Sequence, residues 1–223
     1  MIIYHAEGFL SMKNCIYFAG SGQFSGPRLV PGWGFTETGQ PRFGSGTGDG
    51  ILLDDRWPPA REAIGRMAEA LRGAAVVVCD FEKAPSPLLA SLLARLEGQE
   101  TVVPESCADL PHSAVLVGPY RPPGSFLRWL AGKRRRYGAL VLDADPIRVQ
   151  LRFGSPGRTQ APVPSGTDWF CAGALCRCVR SGDGFAFRDT RESLRERCAA
   201  AAVPAIVFEA AWAGLEEASE PGR

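Results

Sequence analysis

The sequence predicts an α/β domain, a small or incomplete (β/α)8 barrel of the TIM type with a β-hairpin inserted before its last strand. Three observations lead there. Short, continuous apolar runs recur along the chain, as strands buried on both faces require. Amphipathic stretches with helical spacing separate them. Most of the apolar runs end in a carboxylate, and the carboxyl ends of such strands form the ligand-facing edge of barrels and open α/β sheets.

Taken in order, residues 15–20 (Cys-Ile-Tyr-Phe-Ala-Gly) read as a short buried strand. Residues 21–50 are rich in Gly and Pro and read as a long loop with an irregular hairpin around 30–43. No strand is visible between the first and residue 51, so the barrel reads as seven-stranded or irregular here. Residues 51–55 form a strand. Pro58-Pro59 opens a helix over 60–72, with Ile64, Met67, Ala68 and Leu71 on one face and Gly73 as its stop. A strand over 75–82 follows, and Ser86-Pro87 opens a helix over 88–96. Strands at 101–105 and 114–118 precede a helix over 126–136 capped by Ser125, and 139–143 is the next strand. Residues 153–168 are again rich in Gly and Pro. Residues 174–180 and 185–188 then flank Ser181-Gly182-Asp183-Gly184, which reads as a hairpin turn in which Gly182 and Gly184 supply positive φ. Thr190 caps a helix over 191–202. Residues 204–209 form the last strand, and Trp212 and Leu215 lie on a closing helix.

This organisation makes residues 12–216 one domain with a polar tail, 217–223. Met12 stands directly before the first strand. Residues 1–11 lack the basic and apolar regions of a signal peptide. Glu7-Gly8 is encoded by GARGGN, which can match a bacterial ribosome-binding sequence ahead of Met12. Met12 is therefore the expected native start, and residues 1–11 the expected non-native leader.

Bulk properties narrow the function. Apolar residues make up 45% of the chain, enough for one sizeable core, and the formal net charge is only +1. Nucleic-acid and membrane-surface partners usually need a basic face, so neither is expected. The one basic run, Lys133-Arg134-Arg135-Arg136, falls at a helix C-terminus, where the dipole favours cations, and reads as a solvated helix end. No apolar run is long enough to span a membrane. The seven cysteines are odd in number and scattered, which suits structural thiols in a reducing, cytoplasmic setting. Cys171, Cys176 and Cys178 lack the second CxxC or His pair of a zinc site. No cofactor is expected. His5 and His112 make no triad, and Gly44-x-Gly46-x-Gly48-x-Gly50 precedes a strand, the reverse of a phosphate-cradling order.

The candidate chemistry sits at the strand ends. Asp54 and Asp55, Asp80 and Glu82, Glu105, Asp143 and Asp145, and Glu209 each end an apolar run. Gathered at one edge, they would raise one another's pKa, as acid–base chemistry requires. Acidic residues also cap following helices, and for Asp54 and Asp55, just before Pro58-Pro59, that reading is at least equal. Asp80 and Glu82 are two residues apart, so alternation places them on one side of their strand.

The segment Val77-Val78-Cys79-Asp80-Phe81-Glu82 resembles the catalytic strand of family 18 glycoside hydrolases, the chitinases and endo-N-acetylglucosaminidases, whose motif is D-x-x-D-x-D-x-E. Aligned on Glu82, the last Asp is kept as Asp80, while Ala75 and Val78 stand at the first two Asp positions. Phe187 to Leu194, followed by Val203 to Phe208, is similar to the family's C-terminal hairpin, helix start and last strand. Gly118-Pro119-Tyr120-Arg121 is similar to its Met-x-Tyr-Asp strand, with Arg121 in place of Asp.

The resemblance implies substrate-assisted hydrolysis of β-linked N-acetylhexosamine oligomers. Glu82 would protonate the leaving oxygen, Asp80 would orient the acetamido group whose carbonyl attacks, and Tyr120 would hydrogen-bond that group. Asp54, Asp55, Glu105, Asp143, Asp145 and Glu209 would line the substrate, with Trp57, Trp33 or Trp169 stacking on sugar rings. Asp54 or Asp143 would have to replace the proton partner lost at Val78. The expected ligand is an amino-sugar oligosaccharide or peptidoglycan fragment, in a cytoplasmic or spore-associated role. Two other readings stand beside this: a non-catalytic carbohydrate- or protein-binding barrel descended from such an enzyme, and a barrel in which Asp54, Asp80, Glu82 and Asp143 hold Mg²⁺ for phosphate-ester chemistry.

Overall fold

The computed structural model describes residues 12–20, 26–82, 84–152, 158–159, 168–181 and 184–215. The chain opens with β1 (Ile16–Ala19), β2 (Arg28–Phe35) and a short β3 (Pro41–Arg42) that pairs antiparallel outside β2. There follow β4 (Gly50–Asp54), α1 (Ala63–Leu71), β5 (Val77–Asp80), α2 (Pro87–Arg95), β6 (Thr101–Pro104), β7 (Ala114–Val117), α3 (Phe126–Tyr137) and β8 (Leu140–Asp143). After an inserted sheet come α4 (Arg191–Ala201), β14 (Ala205–Phe208) and α5 (Glu209–Ala213). β1, β2, β4, β5, β6, β7, β8 and β14 run parallel in that order, and β14 pairs back onto β1, closing an eight-stranded barrel. The strands that carry the candidate carboxylates, from β4 round to β14, are consecutive neighbours.

Each strand contributes an inward side chain to one core: Tyr17, Leu29, Leu52, Val78, Val102, Ala114, Val141 and Ile206. The lumen is therefore packed rather than open. The outward positions meet the helices in two further cores. Leu53, Val77, Cys79 and Val103 pack on α1 and α2, and Val115, Leu140, Leu142 and Val207 pack on the α3 and α4 side. Helix starts follow the local chemistry. Ser86, Ser125 and Thr190 each accept a backbone N–H from the first turn, and Thr190 forms a reciprocal capping box with Ser193. The basic run behaves as a helix end: Arg134, Arg135 and Arg136 occupy the last turn of α3.

Residues 21–50 depart from the loop that the sequence suggests. Residues 28–35 supply the missing barrel strand, and the hairpin expected around 30–43 is the β2–β3 pair. Pro31, Gly32 and Gly34 hide β2 in the sequence. The register slips between Val30 and Trp33, and Gly32 takes φ +87°, so a bulge absorbs these residues without ending the pairing. Among the described residues no helix joins β1 to β2 or β2 to β4, which leaves the barrel incomplete in its outer layer.

The insertion before the last strand is larger than a hairpin. β9 (Arg148–Arg152), β10 (Arg158–Thr159), β11 (Asp168–Cys171), β12 (Cys176–Ser181) and β13 (Gly184–Arg188) form an antiparallel sheet in the order β10-β9-β13-β12-β11. The expected β12–β13 hairpin is present, with Ser181 opposite Gly184. Gly182 and Asp183 lie outside the described residues, as do residues 1–11 and 216–223. Gly184 serves close approach rather than positive φ, since a Cβ there would lie 1.7 Å from the Leu151 carbonyl oxygen. Val149, Cys176, Cys178 and Phe187 turn one face of this sheet into the core shared with α3 and α4. At its neck the Asp189 N–H donates to the Ile147 carbonyl (3.0 Å) and the Ile147 N–H donates to Asp189 Oδ2 (2.7 Å). Arg197 of α4 pairs with the same carboxylate at 2.6 Å, and both side chains are almost wholly buried.

Candidate functional site

Alternation along the strands decides which carboxylates reach the mouth of the barrel. Leu52, Val78 and Val141 face the lumen, so Asp54, Asp80 and Asp143, each two residues on, also face inward at the carboxyl end. Asp54 and Asp80 are direct neighbours in register. Two glycines make room. A Cβ on Gly34 would lie 2.7 Å from Asp54 Oδ1, and one on Gly118 would lie 3.0 Å from the Asp143 carbonyl oxygen.

Two of the mouth's acids are neutralised by arginines and two are not. Arg42, from β3, forms an ion pair with Asp54. Arg121 pairs with Asp145 at 2.8 Å, and the Asp145 N–H donates to Asp143 Oδ1 at 3.0 Å. Asp80 and Asp143 instead rest on the apolar plug of the lumen. Burial raises the Asp80 pKa, and the charges of Glu82, Asp54 and Asp55 raise it further. Burial likewise pushes Asp143 up to about 6. The charges of Asp145 and Asp80 add to that rise, while the Asp145 N–H and Arg121 oppose it. The Asp80 charge thus reaches Asp143 across the mouth.

The remaining candidates divide. Asp55 Oδ1 accepts the Glu82 backbone N–H at 3.1 Å, tying the loops after β4 and β5 together. Glu82 itself is exposed: it stands beyond the last residue of β5, where the chain leaves the barrel, and its charge still reaches Asp80. Tyr120 is corrected. It is 5% exposed, packs on Phe126 and Trp129, and donates its hydroxyl to the Gly124 carbonyl at 2.7 Å, so it is a core residue of the α3 side. Glu105 is held by Lys133 and Tyr137 of α3 and serves as a strut to that helix. Glu209 opens α5, with its carboxylate over Gly20. Trp57 is exposed after β4, whereas Trp33 packs on Phe43, and Trp169 lies on β11 against Phe185. The sequence reading missed Arg42: the hairpin expected around 30–43 contains it, but no local pattern pairs it with Asp54.

Among the described residues no group of three or more His, Cys, Asp or Glu converges as a metal site, so the Mg²⁺ cage is not assembled there. No described helix is long and apolar enough to cross a membrane.

Asp143 gives a test of the mouth's electrostatics. Its folded pKa is raised, so the folded state holds the proton more tightly than the unfolded chain. This carboxyl therefore favours the fold below about pH 4, and that contribution is lost as pH rises through about 6. Asp143→Asn is expected to match the wild type near pH 4 and to be more stable at pH 7, by on the order of 2–3 kcal/mol. Urea denaturation at both pH values checks it. Equal stabilities at pH 7 would place Asp143 in water.

Comparison with known proteins returns no match: no family model, no curated protein and no solved structure is significantly similar to the chain.

Proposed function

We propose that the protein is a divergent glycoside-hydrolase-like barrel that binds β-linked N-acetylhexosamine oligomers at its carboxyl-end mouth and acts on them by substrate assistance. The observation that carries this reading is the ring of inward carboxylates, Asp54, Asp80 and Asp143, set on an apolar floor. Asp80 holds its proton to higher pH than an ordinary Asp, and it occupies the position that the family uses to orient the acetamido group. In that pose the substrate's carbonyl oxygen attacks its own anomeric carbon and Glu82 protonates the departing oxygen. Water then opens the cyclic intermediate, returning the proton to Glu82. Asp54, whose charge raises the Asp80 pKa, or Asp143, which feels the charge of Asp80, takes the place of the acid lost at Val78. Trp57, exposed at the rim, offers a ring for a sugar face.

A second reading is a binding module without turnover. Tyr120 favours it, because its hydroxyl is committed to Gly124 inside the core and is not offered to an acetamido group.

The test is titration of the wild type with N-acetylchitooligosaccharides and muropeptide fragments, by calorimetry, alongside an assay for new reducing ends. Saturable binding that is lost in Asp80→Ala is the expected result, and release of reducing ends selects the hydrolase over the binding module. Failure of the wild type to bind any of these oligomers would remove both readings.

A further inference from the structure

Cys171 and Cys176 stand directly opposite each other on β11 and β12, joined by the turn of residues 172–175. Opposed residues of an antiparallel pair have Cα atoms about 4.5–5.5 Å apart and send their side chains to the same face. A disulfide spans Cα separations of roughly 4.4–6.8 Å. Both side chains here meet the same core. Cys176 is fully buried within it, while Cys171 packs against it and keeps part of its surface in solvent. Cys178 lies two residues further along β12 and is opposed by Trp169, so it is a diagonal neighbour at best. The turn between the two thiols is docked: the Phe126 N–H at the start of α3 donates to the Gly173 carbonyl at 2.8 Å.

We propose that Cys171 and Cys176 are a redox-active pair that closes to a disulfide under peroxide and reopens under thiol reductants. In the first step the Cys171 thiol reduces hydrogen peroxide, forming a sulfenic acid and releasing one water. In the second, the Cys176 sulfur attacks the Cys171 sulfur. The S–S bond forms, the S–O bond breaks, and the hydroxyl leaves with the Cys176 proton as a second water. The order of attack follows from access, since peroxide reaches the half-exposed thiol first. Burial raises the pKa of the Cys176 thiol, which keeps it in reserve until its neighbour is oxidised. Closure clips the turn that sits on the start of α3, next to the loop through which Arg121 reaches Asp145.

The full-length protein is treated with stoichiometric hydrogen peroxide and mapped without reduction. The expected product has lost two hydrogens and no other mass, and cleavage after Leu175 leaves the Cys171 and Cys176 fragments joined. Dithiothreitol restores the starting mass. Cys171→Ser abolishes the link, whereas Cys178→Ser and Cys198→Ser retain it. Cys176→Ala, at a buried site, is checked for folding by circular dichroism before it is scored. The oxidised wild type is expected to melt about 4–8 °C above its reduced form, from the chain-entropy effect of a six-residue loop. A link from Cys171 to Cys178, sulfinic acid at Cys171 without a link, or an unchanged mass would each overturn the proposal.

Discussion

Arg197→Met is expected to lower the stability of the fold by about 3–5 kcal/mol, which for a chain of this size moves the melting temperature by roughly 6–20 °C. The cost comes from what is left behind. Asp189 is buried at the neck of the inserted sheet, where its carboxylate accepts from Arg197 (2.6 Å), the Ser193 hydroxyl (3.1 Å) and the Ile147 N–H (2.7 Å). Without the guanidinium, a charge remains in a low-dielectric site with only neutral donors around it. Asp189→Leu combined with Arg197→Met should recover only part of the loss. The ion pair is then gone, but the Ile147 N–H and the Ser193 hydroxyl still need an acceptor. Urea denaturation of the single and double variants measures both terms. A loss under about 1 kcal/mol for Arg197→Met would mean that water reaches the pair.

On the proposed hydrolase reading, Glu82→Gln is expected to reduce turnover of an N-acetylchitooligosaccharide by roughly a hundredfold or more, with binding unchanged, because it keeps the shape and removes the transferable proton. Asp80→Asn is expected to weaken binding as well as turnover. Asp80 ends β5 on its inward face, whereas Glu82 lies outside the last strand residue. Isothermal calorimetry and a reducing-end assay on the two variants separate these roles. Turnover that survives Glu82→Gln while failing in Asp80→Asn would move the proton donor to the inward carboxylates.

Much of the barrel was legible because its strands are buried on both faces. Runs such as Val76-Val77-Val78-Cys79 and Leu140-Val141-Leu142 leave little alternative, and the carboxylates that end them mark where burial stops. β2 was not legible. Pro31, Gly32 and Gly34 break its apolar run, and only closure of the barrel and a bulge recover it as a strand. The extra strands β9, β10 and β11 were missed for a related reason, being short elements in or next to the second Gly- and Pro-rich stretch.

Within the site, Asp54, Asp80 and Asp143 were legible as the carboxylates that end apolar runs, and alternation from Leu52, Val78 and Val141 then turns them inward. Glu82, Glu105 and Tyr120 lie past the strand ends, where the pleat no longer dictates direction and neighbouring segments decide their surroundings. Tyr120 is drawn into the core by Phe126 and Trp129, and Glu105 is claimed by Lys133 and Tyr137. The arginines that neutralise Asp54 and Asp145 come from remote segments, and no local pattern announces such pairs.

The reciprocal bonds between Ile147 and Asp189 also bear on how this chain tolerates changes in length. The barrel meets the inserted sheet through two strand-like ends already held side by side, so a different segment could be spliced between them. Because loop-closure entropy grows only logarithmically, each doubling of the insert would cost about 0.6 kcal/mol. The stricter demand is on surface. Val149, Cys176, Cys178 and Phe187 form part of the wall against α3 and α4. A replacement of almost any length is therefore admissible at the splice points, provided it brings an apolar patch of matching shape to close that wall.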